Sequence, residues 1–123
     1  MRLKNNYYKL LEARRQDVAT GIYHVALLTD CDVYRGHFPQ EPICPGVFNM
    51  QMVKECTEAF VGKKLHQTSV KQCRLVSLMT PTKCSEVDVR IDVLSASESS
   101  FTIKASIFDQ EQIYMELLLS AKT

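Results

Sequence analysis

A short segment crowded with proline and glycine constrains the fold of this chain more than any other feature. Three of the four prolines, two of the four glycines and one of the three histidines fall between Arg35 and Val47. Pro39, Pro42 and Pro45 each fix their own φ and push the preceding residue out of the α region. The segment is therefore predicted to be a stiff, extended loop that leads into the element after Pro45.

The residues after this loop predict one long helix. The stretch from Gly46 to Val61 has no proline and many good helix formers, and Gly62 follows it as a helix-ending residue. The start of a helix presents unpaired N–H groups and a partial positive charge, so the loop residue His37 would face a candidate oxyanion site. We expect one helix face to pack on a sheet through Val47, Met50, Val53, Thr57, Phe60 and Val61.

The remaining sequence is typical of β-strands. Apolar and polar residues alternate most clearly from Glu86 to Val93 and again from Phe101 to Phe108. We predict two strands before the helix and a four-stranded meander after it, at about residues 10–16, 22–29, 65–78, 85–94, 100–109 and 112–121. The pattern indicates an α+β fold, with residues 1–123 forming one domain in which a curved antiparallel sheet of five to six strands wraps one long central helix.

Composition and charge argue against several classes of function. A formal charge of +1 lacks the basic excess of a nucleic-acid binder. The five cysteines are widely spaced and include no Cys-x-x-Cys pair, so we expect no disulfide framework, metal or cofactor. The first residues lack the apolar core of a signal peptide, and no apolar run approaches the length of a membrane span. A cytoplasmic location is the resulting expectation.

The proline-rich loop and the helix start resemble the signature of the beta-hydroxyacyl-acyl-carrier-protein dehydratases of the hotdog fold. That signature reads Gly-His-Phe-Pro, two variable residues, then Pro-apolar-apolar-Pro-Gly-Val, and Gly36–Val47 fills every fixed position. The resemblance extends to Tyr7–Leu11 and Val70–Leu75, although the usual Pro-Gly-Asp is replaced at residues 81–83. It implies the hotdog fold and dehydration of 3-hydroxyacyl thioesters to 2-enoyl thioesters in fatty-acid-like synthesis.

The resemblance also implies roles for individual residues. His37 would remove the C2 proton of the substrate, and the backbone amides of Gly46 and Val47 would bind the thioester oxygen. In the family, a carboxylic acid four residues beyond Val47 protonates the leaving 3-hydroxyl, but this chain has Gln51 there. An amide can hold the hydroxyl but has no titratable proton, so its presence should cost on the order of 10²–10⁴ in rate.

Glu55 is the alternative candidate for the acid. It lies one helical turn beyond Gln51 on the same face, about 5.4 Å away, so it would act only through a water or on a shifted substrate. The other interpretation is a solvated or salt-bridged carboxylate beside Lys54 and Glu58. Candidate walls of the acyl tunnel, which are equally compatible with core positions, are Phe38, Phe48 and Cys44.

The predicted sheet indicates that one chain is not the functional unit. A lone curved sheet leaves an open edge strand, which proteins usually pair or cover. In the resembling family the histidine of one subunit meets the acid of the other, which implies a homodimer, a heterodimer with a related hotdog chain, or a higher oligomer. The substrate carrier would be acyl carrier protein or coenzyme A. An acidic carrier protein could dock on Arg35, Lys63, Lys64, Lys71, Arg74 and Lys83.

Two other functions stay open on the sequence. Gln51 is compatible with a catalytically impaired hotdog subunit that binds acyl chains, or that completes a heterodimer by lending His37 to a partner's carboxylate. The hotdog fold is also shared with acyl thioesterases, whose acid precedes a Gly-His pair. Asp32 lies five residues before His37 rather than the usual four, which disfavours thioester hydrolysis.

Overall fold

A long helix packed on a six-stranded antiparallel sheet dominates the computed structural model, which describes residues 2–36, 42–110 and 112–123. The predicted hotdog architecture is thereby confirmed. The elements in chain order are β1 (Tyr8–Arg15), β2 (Thr20–Leu27), α1 (Val33–Gly36), α2 (Gly46–Val61), β3 (His66–Leu75), β4 (Glu86–Ala96), β5 (Ser100–Phe108) and β6 (Ile113–Lys122). The helix α2 has the predicted bounds, each strand lies within a few residues of its predicted place, and the short helix α1 was not predicted.

The strand that follows α2 departs from the predicted meander. Strands β4, β5 and β6 are joined by short turns and pair in sequence order, but β3 pairs with β6 and not with β4. The sheet order is β1-β2-β4-β5-β6-β3, so β1 and β3 are the two edge strands. The predicted four-stranded meander is therefore wrong at β3. Residues 76–85 connect β3 to β4, and a connection of this length does not force its two strands to be neighbours.

The face of α2 that packs on the sheet is rotated from the predicted one. Val53, Thr57 and Phe60 are buried as predicted. Val47 is 68% exposed, so its predicted place on this face was wrong, while Met50 and Val61 are half-buried and pack against the edge of the core. The buried stripe instead repeats at regular helical spacing. Its members are Asn49, Met52, Val53, Cys56, Thr57 and Phe60.

The alternation predicted for β4 and β5 is confirmed by the core. Every second residue of each strand is buried against α2 and the rest of the sheet. The inward residues are Val87, Val89 and Ile91 on β4 and Ile103, Ala105 and Ile107 on β5.

No helix in the described part of the chain is long and apolar enough to cross a membrane.

A glycine in β2 lets the C-terminal end of α2 approach the sheet closely. A Cβ atom at Gly21 would lie 2.6 Å from Cδ1 of Phe60, well inside contact distance. The guanidinium of Arg15 lies 4.1 Å from the centroid of the Phe60 ring. It also donates a 2.8 Å hydrogen bond to the Phe60 carbonyl. The ring therefore packs between β2 and a side chain of β1, and this contact fixes one end of α2.

The N-terminal segment is fastened to the middle of α2 by a single carboxylate. Oε2 of Glu55 accepts hydrogen bonds from the backbone N–H of Leu3 at 2.7 Å and from Nε2 of Gln51 at 3.1 Å. Oε1 of Glu55 accepts from the backbone N–H of Lys4 and from the hydroxyl of Tyr8, both at 3.0 Å. A carboxylate has about four acceptor positions. The four donors therefore occupy the acceptor capacity of Glu55.

A histidine on the outer side of the sheet bridges two carboxylates of β4. Nδ1 of His24 lies 2.8 Å from Oδ1 of Asp88, and Nε2 lies 2.6 Å from Oε1 of Glu86. Both ring nitrogens can donate only when the imidazole is protonated. The hydrogen bonds that the imidazole donates to Asp88 and then to Glu86 raise the pKa of His24 above its ordinary value of 6.5.

Removal of the Glu55 carboxylate should loosen the N-terminal segment. Glu55→Ala leaves the backbone N–H groups of Leu3 and Lys4 without their acceptor, which costs about 1–3 kcal/mol for a buried group. We expect the free energy of unfolding in urea to fall by about 2–3 kcal/mol and the two amides to exchange faster with solvent. The control is Glu12→Ala, an exposed carboxylate 3.8 Å from Arg14, which should change stability by less than about 1 kcal/mol. Unchanged exchange at residues 3 and 4 would contradict this assignment.

The His24 bridge predicts a specific pH dependence of stability. The pKa of His24 in the folded state is raised, so its contribution is complete below about pH 6.5 and is lost as the pH rises through the folded-state value. Urea unfolding measured between about pH 5 and 9 should therefore show a fall in stability that His24→Gln lacks. His66→Gln, at an exposed position, is the matched control. Parallel stability profiles for the wild type and His24→Gln would show that the bridge contributes nothing.

Candidate functional site

Two cavities lie along α2, one at each half of the helix. A cavity of about 630 Å³ follows its middle and C-terminal half and is lined in part by Gln51 and Glu55. We call it the helix-side cavity. A second cavity of about 430 Å³, the helix-start cavity, is lined by Cys44, Gly46 and Asn49 together with residues 75–79 after β3. The predicted acid positions and the predicted oxyanion position therefore lie in different cavities of one chain.

The helix-start cavity is lined by Gly46, the first residue of α2, where backbone N–H groups have no acceptor within the helix. Pro45 is the N-cap residue, with an extended backbone at φ −65° and ψ 139°. The first bonds within the helix run from the N–H groups of Phe48 and Asn49 to the Pro45 carbonyl, at 3.1 and 3.0 Å. The N–H groups of Gly46 and Val47 precede these bonds and have no carbonyl of the helix to donate to. No acidic side chain occupies the first turn of α2, so its partial positive charge is preserved.

Buried polar side chains pack against the start of α2. The hydroxyl of Tyr7, which is fully buried, donates a 2.7 Å hydrogen bond to Oδ1 of Asn49. The ring of Tyr7 packs edge-on against Phe48 with centroids 5.2 Å apart. The Tyr34 hydroxyl lies 3.3 Å from Sγ of Cys44. Sequence reasoning missed Tyr7, Tyr34 and Asn49, although a buried position for Asn49 follows once the spacing of the helix stripe is known.

The predicted tunnel-wall residues are placed differently from one another. Cys44 is buried, lines the helix-start cavity, and has its backbone fixed by a 2.8 Å hydrogen bond from its N–H to the Met79 carbonyl. Burial raises the pKa of the Cys44 thiol, which disfavours a nucleophilic thiolate there. Phe48 is half-buried and packs against the hydrophobic core. Phe38 lies outside the described residues, as does the predicted base His37.

The helix-side cavity brings the two predicted acid positions into direct contact. The side-chain amide of Gln51 donates to Glu55, so the carbonyl oxygen of Gln51 is turned away from that carboxylate. Glu55 also holds the N-terminal segment through Leu3, Lys4 and Tyr8, contacts that join residues about fifty positions apart. The sequence does not predict these hydrogen bonds to Glu55, because nothing in the residue pattern of the helix signals them. Any proton transfer by Glu55 would have to displace one of its four donors.

The basic residues predicted to form a docking patch do not all line the same cavity. Lys63 and Lys64 line the helix-side cavity, where Arg2, Lys4 and Lys54 join them. The other predicted residues with described side chains line neither cavity, and Arg74 lies 3.7 Å from Glu116. These residues are Lys71, Arg74 and Lys83, while the side chain of Arg35 lies outside the description.

The cysteines and acidic residues form no metal centre in the part of the chain described. All five cysteines are free thiols, and three of them are buried. No group of three or more potential ligands from histidine, cysteine, aspartate and glutamate converges among the described residues. Asp32, the candidate acid for thioester hydrolysis, is exposed in the turn before α1.

Solved structures of the hotdog class match this arrangement over nearly their whole length. The chain is similar to the dehydratase heterocomplex ApeI:P from Xenorhabdus doucetiae, with a TM-score of 0.74 and 15% identity over 94% of this chain and 97% of that one. It is similar to a hypothetical thioesterase with coenzyme A from Streptococcus pneumoniae, with a TM-score of 0.68 and 6% identity over 94% and 84% of the two chains. A putative thioesterase from Lactococcus lactis matches with a TM-score of 0.66 and 10% identity over 96% and 92%.

Comparison of the sequence with family models assigns the chain to a family. No curated protein sequence matches the chain. A family model does match: the model of the ApeI-like dehydratases covers residues 13–115, which include the proline-rich loop, α2 and the whole of β2, β3, β4 and β5. This match spans most of the chain and agrees with the signature at Gly36–Val47. The chain therefore belongs to the ApeI-like dehydratase family.

Proposed function

We propose that this chain is a subunit of a dehydratase that converts 3-hydroxyacyl thioesters into 2-enoyl thioesters. The observation that carries the proposal is the start of α2, where Gly46 lines the helix-start cavity and Val47 follows it, directly after the loop that contains His37. Preorganised amides of this kind stabilise charge that develops on a thioester oxygen. Membership of the ApeI-like dehydratase family supports the same reaction class.

The proposed reaction divides into a base step and a leaving-group step. The thioester oxygen accepts hydrogen bonds from the N–H groups of Gly46 and Val47, which stabilises an enolate. The neutral imidazole of His37 takes the C2 proton, and the electron pair of that C–H bond passes into the enolate. The enolate then forms the C2–C3 double bond as the bond from C3 to its hydroxyl oxygen breaks, and a proton must reach the oxygen so that it leaves as water. The first step uses groups of one loop and helix start, but the second needs a proton donor.

Gln51 positions the leaving hydroxyl in this proposal but cannot protonate it. Its amide nitrogen is held by Glu55 at 3.1 Å, which fixes the orientation of the whole amide. An amide has no titratable proton near neutral pH. A complex of identical chains should therefore be slow, by on the order of 10²–10⁴ relative to one with a general acid.

The dehydratase proposal predicts opposite effects of two substitutions. With a 3-hydroxyacyl carrier substrate and enoyl formation as the readout, His37→Gln should lower the rate by on the order of 10²–10⁴, and Gln51→Glu should raise it. His24→Gln removes a histidine from the outer side of the sheet and is the matched control, which should keep the wild-type rate. Equal rates for the wild type and His37→Gln would overturn the proposed role of His37.

A second candidate function is a heteromeric dehydratase in which a related chain supplies the acid. It is favoured by the contacts of Glu55, the predicted alternative acid, whose acceptor positions are occupied by four donors. The similar structure from Xenorhabdus doucetiae is a dehydratase heterocomplex, which supports a hotdog partner here. In such a complex His37 of this chain would act with a carboxylate of the partner.

This second candidate predicts complementation between two inactive chains. The partner to test is a hotdog chain with Glu or Asp at the position equivalent to Gln51, carrying Ala in place of its own loop histidine. Neither chain alone should form the enoyl product at an appreciable rate, and the mixture should, because only the mixture joins His37 to an acid. His37→Gln in this chain should abolish the recovered activity. Failure of the two chains to co-elute, together with no recovery, would contradict the heteromeric function.

A further inference from the structure

The side-chain amide of Asn49 has its two ends in different surroundings. The residue is only 4% exposed, and its Oδ1 accepts a 2.7 Å hydrogen bond from the hydroxyl of Tyr7. Its Nδ2 donates to no group among the described residues. Every buried side-chain nitrogen or oxygen in that part of the chain has a hydrogen-bond partner, so Nδ2 has to border accessible space. That space is the helix-start cavity, which Asn49 lines.

Tyr7 fixes which end of the amide faces the cavity. A phenol hydroxyl has one proton, and Tyr7 gives it to Oδ1 of Asn49. The Tyr7 side chain is fully buried, and its ring is held edge-on against Phe48 with the centroids 5.2 Å apart. The N–H groups of Asn49 are therefore oriented before any ligand arrives. A donor oriented in advance needs no reorganisation when negative charge develops beside it.

Helix geometry places this donor beside the N–H of Gly46. Asn49 comes three residues after Gly46, and helix side chains tilt towards the N-terminus, so the Asn49 amide covers the turn that contains Gly46. A Cβ atom at Gly46 would meet nothing within 4 Å among the described residues. The first turn of α2 therefore has open space beside it, where a ligand atom could contact both donors.

The hydroxyl groups that line the same cavity already have side-chain partners. Ser77 accepts a hydrogen bond from the amide of Gln112, and the Tyr114 hydroxyl donates to Asp109. Among the described residues that line the cavity, only Asn49 has side-chain N–H groups. Most of the other lining side chains are apolar, and hydrogen bonds to a developing charge are stronger in such surroundings than in water.

We infer that Nδ2 of Asn49 donates a hydrogen bond to the thioester oxygen, as a third donor beside the N–H groups of Gly46 and Val47. The inference rests on the proposed function, because it adds a residue to the same oxyanion position. When the C2 proton passes to His37, the electron pair of that C–H bond moves into the enolate and negative charge collects on this oxygen. Asn49 then stabilises the enolate more than the thioester, which makes it a catalytic residue of the base step.

Deuterium exchange at C2 of the butyryl thioester of N-acetylcysteamine tests the inference. This probe has no hydroxyl at C3, so the leaving-group step and its acid play no part. The C2–H bond breaks, the proton passes to His37, and the imidazole returns a deuteron after it has exchanged with heavy water. Mass spectrometry should show exchange by the wild type. Asn49→Leu, which is similar in size but lacks the N–H groups, should slow the exchange by on the order of 10²–10³.

Two further variants separate the donor from a structural role of Asn49. Tyr7→Phe removes the same buried hydrogen bond but keeps the N–H groups, so the exchange rate should fall by at most about tenfold. Asn49→Asp keeps an acceptor for the Tyr7 hydroxyl and lacks the N–H groups, so it tests the donor even if the leucine variant does not fold. It should be at least as slow as Asn49→Leu, because its carboxylate also repels the enolate. Urea unfolding of each variant checks that the fold is kept.

The outcomes distinguish a failure of this inference from a failure of the proposed function. Equal losses in Tyr7→Phe and Asn49→Leu would overturn the inference, because both would follow from the lost hydrogen bond. Exchange by Asn49→Asp within about tenfold of the wild-type rate would also overturn it. A wild-type rate no higher than that of His37→Gln would count against the dehydratase.

The infrared carbonyl band of the bound thioester decides the role of Asn49 without any proton transfer. A hydrogen bond to a carbonyl oxygen lowers its stretching frequency, so the ¹³C-labelled carbonyl of the probe should absorb at a higher frequency on Asn49→Leu than on the wild type. The same frequency on both proteins would overturn the inference, whatever the exchange rates are.

Discussion

The packing of α2 on the sheet is the contact on which the rest of this molecule depends. It is fixed at three places: by the buried hydrogen bond from Tyr7 to Asn49 near its start, by Glu55 at its middle, and by Phe60 against Gly21 at its end. Each joins α2 to a segment at least thirty residues away in sequence. Because both cavities are bounded by α2, a shift of the helix along the sheet would alter the two together.

Local sequence signals were enough to predict the elements, and nonlocal contacts decided where prediction failed. The bounds of α2 were predictable because Pro45 precedes the helix and Gly62, at φ 73°, ends it. The partner of β3 was not, because the ten residues after β3 allow the chain to cross to either side of the sheet. The buried face of α2 was misassigned because Asn49 is polar by type and is buried only through its bond to Tyr7.

In the candidate site, too, features set by local sequence were predictable and features set by nonlocal contacts were not. The start of α2 at Gly46 was predictable because Pro45 precedes it, and a helix start exposes amides wherever it occurs. The contacts of Glu55 were not, because the backbone N–H groups of Leu3 and Lys4 carry no signature in their residue types. The sequence placed Glu55 beside Gln51 but could not show that the carboxylate also holds the N-terminal segment.

The contact between Gln51 and Glu55 suggests a physical reason for the amide at the position of the family's acid. A glutamate at 51 would bring a second carboxylate within hydrogen-bond distance of Glu55, where Gln51 now lies at 3.1 Å. Two carboxylates so close cannot both be ionised without cost, so such a pair would hold a proton that a general acid could transfer. The same proton would weaken Glu55 as an acceptor for Leu3 and Lys4. With glutamine at 51 the clamp on the N-terminal segment stays intact, and the proton that dehydration needs has to come from another group.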